Sequence, residues 1–476
     1  MRGLWLRLFL GLLLCLVSSW SLAAQPTLKS LEAEPIDIKP PNWGRPAQTF
    51  TIDNYTLSGA PALSAKAAAV TKRVLENGLV YLSAEEPTQE LVSFDYLVRC
   101  GVGQEGSNQQ GYNALILQIL NNRISNDSHN DDVVEITGSL VDVGTSPDFC
   151  RININTAPIN SLLMLRRLCQ AVARPQFSAA EVELARRQVL NALTSASNDQ
   201  LYSIFLSCFY RLHPYKRTPH PVEVIIKRVT PQELSAYYQR NFAPNRSVLT
   251  SAGKISGREA FKIVSATCAG LVPNKEQVLE VQWEPQAVER EVYLYSSSEL
   301  AWVLLGYQAP SLQSSDFAAM RVIYGALGAG LSSRLWTELR ENRGLAYEVG
   351  ARYPELLGPS HLLCHVVTKP TSVGVARRRM LAEIDRLKRE GMTPLELQEV
   401  REKLLGTYLL ERETMSGKAL HLGMAELSGA GYEADARFPA ELARVTPQDV
   451  VRVANKYLIE PTLIIARPGG RFYFDW

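Results

Sequence analysis

Two stretches of the chain repeat one another: Val229-Thr230-Pro231-Gln232-Glu233 and Val445-Thr446-Pro447-Gln448-Asp449. They begin 216 residues apart, at positions 229 and 445. Each has a threonine followed three residues later by an acid. This is the pattern of a capping box, in which the hydroxyl and the carboxylate bind free backbone N–H groups at a helix start. Proline at the first helical position favours the same helix start. Both stretches therefore predict the beginning of a helix.

A second pair of segments repeats with nearly the same offset. Phe177-Ser178-Ala179-Ala180-Glu181 corresponds to Met392-Thr393-Pro394-Leu395-Glu396, which begins 215 residues further on. Each again carries a hydroxyl residue and an acid at capping-box spacing. A single box is weak evidence, but four boxes in register indicate that the chain contains two copies of one unit.

Each copy shows the same order of predicted elements: strands, a helix, more strands, two helices, and a closing helix and strand. Strands are predicted at 78–84, 91–99, 133–143, 151–156 and 246–252, and again at 291–296, 302–307, 344–353, 361–368 and 462–466. The later helices are predicted at 158–173, 179–196 and 231–241, and at 371–389, 394–412 and 447–457. This order favours the α+β class, as two homologous domains, each a mostly antiparallel sheet covered by helices.

The predicted domain boundaries follow from the repeat and from composition. Residues 1–24 carry only two charges, both arginine, followed by a short apolar stretch and small residues. This is the layout of a secretory signal peptide, and an uncleaved membrane anchor is the alternative. Residues 25–68, rich in Pro, Ala and Ser, are predicted to form an extended tether. The first domain is predicted at 69–271, a linker at 272–288 and the second domain at 289–476.

The charge balance argues against nucleic acid or an anionic membrane as a partner. The 50 Lys and Arg residues less Arg2 and Arg7 leave 48, against 48 acidic residues, so the exported chain would carry almost no net charge. No C-x-x-C motif predicts a zinc ribbon. Cys100 and Cys150 both end strand-like runs and could pair in an oxidising compartment; isolated buried thiols are the alternative.

Several short segments, in order, resemble the insulinase/pitrilysin family of zinc metallopeptidases, the inverzincins. The resemblance covers roughly residues 70–470. The segments that carry it are Leu75-Glu76-Asn77-Gly78-Leu79, Gly101-Val102-Gly103-Gln104-Glu105, His213-Pro214-Tyr215, Tyr238 to Asn245, and Ser332-Ser333-Arg334-Leu335 through Gly344-Leu345-Ala346-Tyr347. Each is modest alone, and their order and spacing together make the resemblance strong.

Active members of this family carry His-x-x-Glu-His on the helix after the second strand. Its two histidines bind zinc and its glutamate polarises water. Here that helix reads Gly111-Tyr112-Asn113-Ala114-Leu115-Ile116-Leu117-Gln118. Aligned on its first glycine, the resemblance puts Ala114 and Gln118 at the ligand positions and Leu117 at the base. The downstream ligand position falls in 189–193, which contains no acid. The resemblance thus implies that this chain holds no metal and no catalytic residue there.

Other histidines and glycines offer no replacement site. His361-Leu362-Leu363-Cys364-His365 has an i, i+4 pair, but it lies in a predicted strand and lacks the glutamate. His213 and His220 flank a proline-containing loop and are predicted to be structural, and His129 is predicted to be solvated. The run 325–330 lacks the Lys-Ser/Thr pair of a phosphate loop and is predicted to form a tight turn.

The second copy keeps a pair that the resemblance associates with substrate binding. The family's C-terminal half supplies an arginine and a tyrosine seven residues apart, and Arg340 and Tyr347 stand at that spacing directly around Gly344-Leu345-Ala346. An arginine can bind a peptide carbonyl, and a tyrosine can donate a hydrogen bond to a developing oxyanion. The alternative is a helix-capping arginine and a core tyrosine.

These features lead to three functional hypotheses. The first is a non-catalytic subunit of a heteromeric zinc peptidase that acts on unfolded peptides, with no cofactor of its own and zinc in a homologous partner that carries His-x-x-Glu-His. The second is a non-proteolytic scaffold or peptide-binding protein, and the third is an independent protease. The signal-like start predicts an exported protein, periplasmic or extracellular, with no membrane contact after cleavage.

Overall fold

Two β-sheets with matching strand order organise the part of the chain that the structure describes. The structure, a computed structural model, describes residues 70–126, 133–195, 200–218, 220–276, 291–296 and 298–469. The predicted signal, the tether, His129 and most of the predicted linker lie outside these ranges. None of the described helices is long and apolar enough to cross a bilayer. Both sheets belong to one compact unit, Lys66–Trp476.

The first sheet has the strand order β1-β2-β6-β3-β5-β4 and the second has the order β7-β11-β8-β10-β9. In each sheet one pair is parallel, β2 with β6 and β7 with β11, and every other pair is antiparallel. The strands are β1 Val70–Val74, β2 Val80–Glu85, β3 Val92–Val98, β4 Leu140–Thr145, β5 Cys150–Thr156, β6 Ser247–Gly253, β7 Glu291–Ser296, β8 Ala301–Ala309, β9 Ala346–Arg352, β10 Ser360–Thr368 and β11 Thr462–Pro468. The predicted α+β class with mostly antiparallel sheets is confirmed.

Helices cover both sheets. In the first half they are α1 Tyr112–Ser125, α2 Val133–Thr137, α3 Ser161–Val172, α4 Ala179–Ser195, α5 Gln200–Tyr210, α6 Glu223–Arg228, α7 Pro231–Asn241 and α8 Gly257–Cys268. In the second half they are α9 Phe317–Gly328, α10 Arg334–Trp336 (continued by a π-type turn, Thr337–Glu341), α11 Val373–Glu390, α12 Pro394–Glu411, α13 Met415–Leu427, α14 Glu433–Arg444 and α15 Pro447–Tyr457.

The capping boxes lie where the sequence predicts them, with one difference. Reciprocal boxes begin α7 and α15, and Ser178 and Glu181 form a third one before α4. Before α12, Glu396 N–H donates to Thr393, but the Glu396 carboxylate accepts two hydrogen bonds from Arg334 instead. A guanidinium fork binds a carboxylate more strongly than a backbone N–H does, so the fourth box is one-sided.

Two sequence predictions are wrong in detail. Val133–Thr137 is helical rather than extended, and the strand begins only at Leu140; Thr137 Oγ1 donates to the Val133 carbonyl at 2.7 Å, which stabilises the turn. The glycine run at 325–330 is not a turn throughout, because α9 continues to Gly328. A Cβ at Gly328 would lie 2.5 Å from that of Ala351, so this glycine allows the helix to approach β9.

The two halves exchange one helix each across their sheets. α5, from the first half, packs Phe205 and Ile204 against Leu304, Leu363 and Ile464 of the second sheet, among others. α13, from the second half, packs over β2, β3 and β6 of the first sheet. α5 and α13 begin 215 residues apart, at 200 and 415, which is the offset of the duplication. Each half therefore needs the other to cover one face of its sheet.

Polar contacts fix this exchange. Thr250 of β6 donates to the Ala419 carbonyl of α13 at 2.9 Å, and Arg151 reaches Ser416 while it binds Asp95. Burial raises the pKa of Asp95 to about 6 even though the arginine lies against it. The same face carries Leu97, whereas Phe94 and Tyr96 point to the helices on the opposite side.

A loop contact joins the halves at a third place. The buried Asp148 carboxylate, in the turn between β4 and β5, accepts hydrogen bonds from the Tyr215 hydroxyl and from Leu357 N–H, the latter at 2.9 Å. The Tyr215 hydroxyl in turn accepts from Gly358 N–H. These bonds connect two loops of the first half to the segment before β10.

Gly306→Ala tests the exchanged packing, because a Cβ at Gly306 of β8 would lie 2.0 Å from the Phe205 ring of α5. Overpacking of this kind should lower the free energy of unfolding by about 1–3 kcal/mol. The control is Gly406→Ala on α12, where a Cβ meets nothing within 4 Å and helix propensity should add about 0.5–1 kcal/mol. Equal urea-unfolding curves for the two variants would show that α5 is not tightly packed on the second sheet.

Candidate functional site

The helix that resembles the zinc helix of active peptidases is anchored at its first turn. The Glu105 carboxylate, itself buried, accepts hydrogen bonds from Gly111 N–H at 3.1 Å and Asn113 N–H at 2.8 Å. Burial raises the pKa of Glu105 to about 7, and the two backbone donors oppose that rise. A carboxylate at a helix N-terminus stabilises its free N–H groups, so Glu105 positions α1.

The three positions aligned with the zinc ligands and the base serve helix packing. Leu117 is buried in the first core, and Ala114 packs against that core while partly exposed. Gln118 is half-buried, and its Nε2 donates to Asn122 Oδ1 at 3.1 Å. Methyl and isobutyl groups have no lone pair for zinc. Within the described residues, no group of three or more His, Cys, Asp or Glu is placed to hold a metal ion.

A chain of amides joins α1 to α4, the helix that contains the downstream ligand position. Asn122 receives the hydrogen bond from Gln118 and donates its own to Gln188 Oε1 at 2.8 Å. One turn away, Arg123 Nε donates to Glu181 Oε1 at 2.7 Å. A zinc ion in an active relative would connect the same two helices. Here side-chain hydrogen bonds connect them, a substitution that the i, i+4 spacing of Gln118 and Asn122 could have indicated.

Arg340 and Tyr347 are in direct contact. The guanidinium of Arg340, on the π-type turn after α10, donates to the Ala346 carbonyl at 3.1 Å and to the Tyr347 carbonyl, and lies 5.0 Å from the Trp336 ring centre. Gly344, at φ +60°, makes the turn between them. Arg340 thus holds the chain where it enters β9.

The Tyr347 side chain is half exposed, at 50%, so it is not a core tyrosine. It lies on β9, an edge strand that pairs only with β10 within the described residues. The unused backbone groups of an edge strand can pair with an extended peptide. Between the α1 positions and the Arg340–Tyr347 pair, no hydrogen bond or ion pair is formed among the residues that the structure describes.

The histidine pair on β10 is divided between two environments. His361 is buried, with Nδ1 2.9 Å from the Tyr210 hydroxyl and Nε2 3.1 Å from the Tyr202 hydroxyl, both on α5. Burial lowers its pKa to about 3, and the charge of Arg352 adds to this effect. His365 instead lies beside Glu348 of β9 at 3.2 Å. The pair is structural, as the sequence predicts.

Cys100 and Cys150 are both buried as free thiols. The Cys150 Sγ–H donates to the Cys100 carbonyl at 2.8 Å, and the Cys100 sulfur lies 3.4 Å from the Tyr237 hydroxyl. The two cysteines are therefore neighbours, as their positions at the ends of adjacent strands suggest.

Comparison with known proteins identifies the same family. Residues 228–404 match the peptidase M16 inactive domain. Similar proteins include an uncharacterized zinc protease of Mycobacterium bovis, 24% identical over 84% of this chain and 93% of that protein. Zinc protease PqqE of Helicobacter pylori is 23% identical over 83% and 92%. Non-peptidase homolog YmxG of H. pylori is 24% identical over 74% and 83%.

Solved structures share the fold. A protease from H. pylori superposes with a TM-score of 0.73 at 20% identity, covering 84% of this chain and 100% of that one. A peptidase M16 inactive domain from Pseudomonas fluorescens superposes with a TM-score of 0.74 at 18% identity, covering 84% and 99%. The predicted resemblance to the insulinase/pitrilysin family is confirmed. The names of the relatives include both zinc proteases and a non-peptidase homologue.

Asn122→Ala should lower the free energy of unfolding by about 1–3 kcal/mol, because it removes both links of the amide chain and leaves partly buried polar groups without partners. Asn121→Ala on the same helix is the control, since Asn121 accepts only a 3.3 Å hydrogen bond from Ser125. It should change stability by less than about 0.5 kcal/mol. Equal urea midpoints for the two variants would mean that the amide chain does not hold α1 to α4.

His361 should make the protein less stable in mild acid. The unfolded chain takes up a proton near pH 6.5, whereas folded His361 does so only near pH 3, so stability falls as pH drops through this window. Between pH 7 and 5 the loss should be about 2 kcal/mol relative to His361→Gln. Glu105 and Asp95, with raised pKa values, act in the opposite direction in both proteins. Parallel pH profiles of the two proteins in urea unfolding would refute this effect.

Proposed function

We propose that this chain, which resembles the insulinase/pitrilysin peptidases over most of its length, is the peptide-binding, non-catalytic subunit of a heteromeric zinc metallopeptidase acting on unfolded peptides. The observation that carries the proposal is a contrast between the two halves. The first half has Ala114, Leu117 and Gln118 where a metal site would be, and the second half presents Arg340 and Tyr347 at an exposed sheet edge.

The metal positions support a role without catalysis by this chain alone. Leu117 is buried in the core, and Gln118 belongs to the amide chain that reaches Gln188. These residues do not fit a zinc ion, because none offers a carboxylate, imidazole or thiolate. In the proposed complex the zinc and the general base belong to a homologous partner chain with His-x-x-Glu-His.

The sheet edge supports a role in holding a peptide. Beside β9, an extended peptide could pair with the unused N–H and C=O groups as a further strand, with little dependence on its sequence. Tyr347 projects from this strand, where its hydroxyl could donate to a carbonyl oxygen that gains charge during cleavage by the partner. Arg340 keeps Tyr347 in place by binding its backbone.

Export is part of the proposal, as the signal-like residues 1–24 predict. The complex would then work in the periplasm or outside the cell.

A scaffold or peptide-binding protein without any peptidase partner is the second candidate. The match to a protein named non-peptidase homolog favours it. In that case the chain would hold extended peptides at the same edge without cleavage. An independent protease is the least supported candidate, because α1 carries no ligand or base.

Tyr347→Phe should separate these candidates when the chain is mixed with a partner that carries His-x-x-Glu-His. Without the hydroxyl, kcat for an unstructured fluorogenic peptide should fall by about 10²–10³-fold, the usual cost of a lost oxyanion donor. Tyr293→Phe is the matched control, since Tyr293 is also half exposed on an edge strand, β7, and it should leave the rate unchanged.

The mixture also tests the partnership itself. Chelator-sensitive cleavage should appear only when both chains are present. Cleavage by this chain alone with stoichiometric zinc would establish the independent protease. A loss below about threefold in Tyr347→Phe would remove the oxyanion role, and peptide binding with no peptidase activity in any mixture would favour the scaffold.

A further inference from the structure

A cavity of about 770 Å³ opens in the second half, away from Arg340 and Tyr347. It lies between the first turns of α9, the end of α12, α13 and α14. Its size is typical of sites that bind small organic molecules. Apolar side chains that line it include Phe317, Leu404, Met424 and Phe438, and charged or titratable ones include Arg321 and His421.

Two hydrogen-bond donors on the cavity wall lack acceptors. Arg321 Nε is buried with no hydrogen-bond partner among the described residues, and its Nη1 lies 3.4 Å from Glu355 Oε1. His421 makes no hydrogen bond within the described part of the chain; the Glu411 carboxylate is 3.9 Å from its Nε2, too far for one. Burial lowers the pKa of His421, so at neutral pH its ring still offers one N–H.

The carboxylates of the cavity are better matched. Asp435 is held by the Arg412 guanidinium, and Glu411 also lies 3.4 Å from Arg412. Arg412 is further fixed by its position 3.7 Å from the Tyr408 ring centre. The Glu355 carboxylate lies against Arg321. The incompletely paired groups are therefore donors, and they call for a ligand that supplies an acceptor.

We propose that this cavity binds an organic carboxylate with an apolar body. The carboxylate would lie between Arg321 and His421, with a small rotation of the Arg321 side chain that turns Nε toward it. A charge-assisted hydrogen bond of this kind is about twice as strong as a neutral one. The apolar body would contact Phe317, Leu404 and Phe438. The site does not depend on the proposed subunit role.

N-acetylphenylalanine and its carboxamide test the proposal by calorimetric titration of the full chain. The two compounds differ only in the charge of the carboxyl group. The acid should bind with a stoichiometry of one, and the amide should bind at least about tenfold more weakly, which corresponds to about 1.4 kcal/mol. Arg321→Met should weaken binding of the acid to a similar extent, and Arg321→Lys should restore part of it.

His421→Phe is a second variant that keeps the test decisive if Arg321→Met fails to fold; it should weaken the acid by at least about threefold. Arg378→Met, at an exposed arginine of α11 outside the cavity, should bind like the unmodified chain. The proposal is overturned if the amide binds as tightly as the acid. It is equally overturned if folded variants of Arg321 and His421 keep full affinity, or if no saturable binding occurs below about 10 mM, a limit near 2.7 kcal/mol of binding free energy.

Discussion

The exchange of α5 and α13 is the packing on which the rest of this protein depends. Each half builds a sheet with helices on one face and lends a single helix to the other face of its neighbour's sheet. Neither sheet is covered on both sides without the other half, so apolar residues such as Phe205 and Leu97 are buried only when the halves are together. Burial of a large side chain contributes about 1.5–3 kcal/mol, and the exchange places many of them.

This arrangement also sets the relation between the candidate sites. α1, with the positions of a lost metal site, is packed on the first sheet, and the Arg340–Tyr347 turn leads into the edge of the second sheet. The polar contacts of Thr250 with α13 and of Asp148 with Leu357 hold these sheets in one compact unit. A peptide-binding edge on such a unit is rigid, which suits recognition through the backbone.

The loss of metal ligands has been accompanied by new contacts rather than by a gap. In α1 the amide chain through Asn122 and the ion pair of Arg123 with Glu181 connect the helices that a zinc ion would connect. Arg334 has likewise taken the Glu396 carboxylate from the capping box of α12. Both cases show a strong side-chain interaction replacing a more common motif while the helices remain in place.

By itself the sequence determined the duplication, the α+β class and most element boundaries, because capping boxes and strand periodicity are local signals. It also located Ala114, Leu117, Gln118, Arg340 and Tyr347, through motif resemblance. Only the tertiary structure decided that Val133–Thr137 is helical and that α9 continues through its glycines. It alone revealed the exchanged helices and the pairing of donors and acceptors around Arg321. These features depend on contacts between residues up to hundreds of positions apart, which no local pattern of side chains encodes.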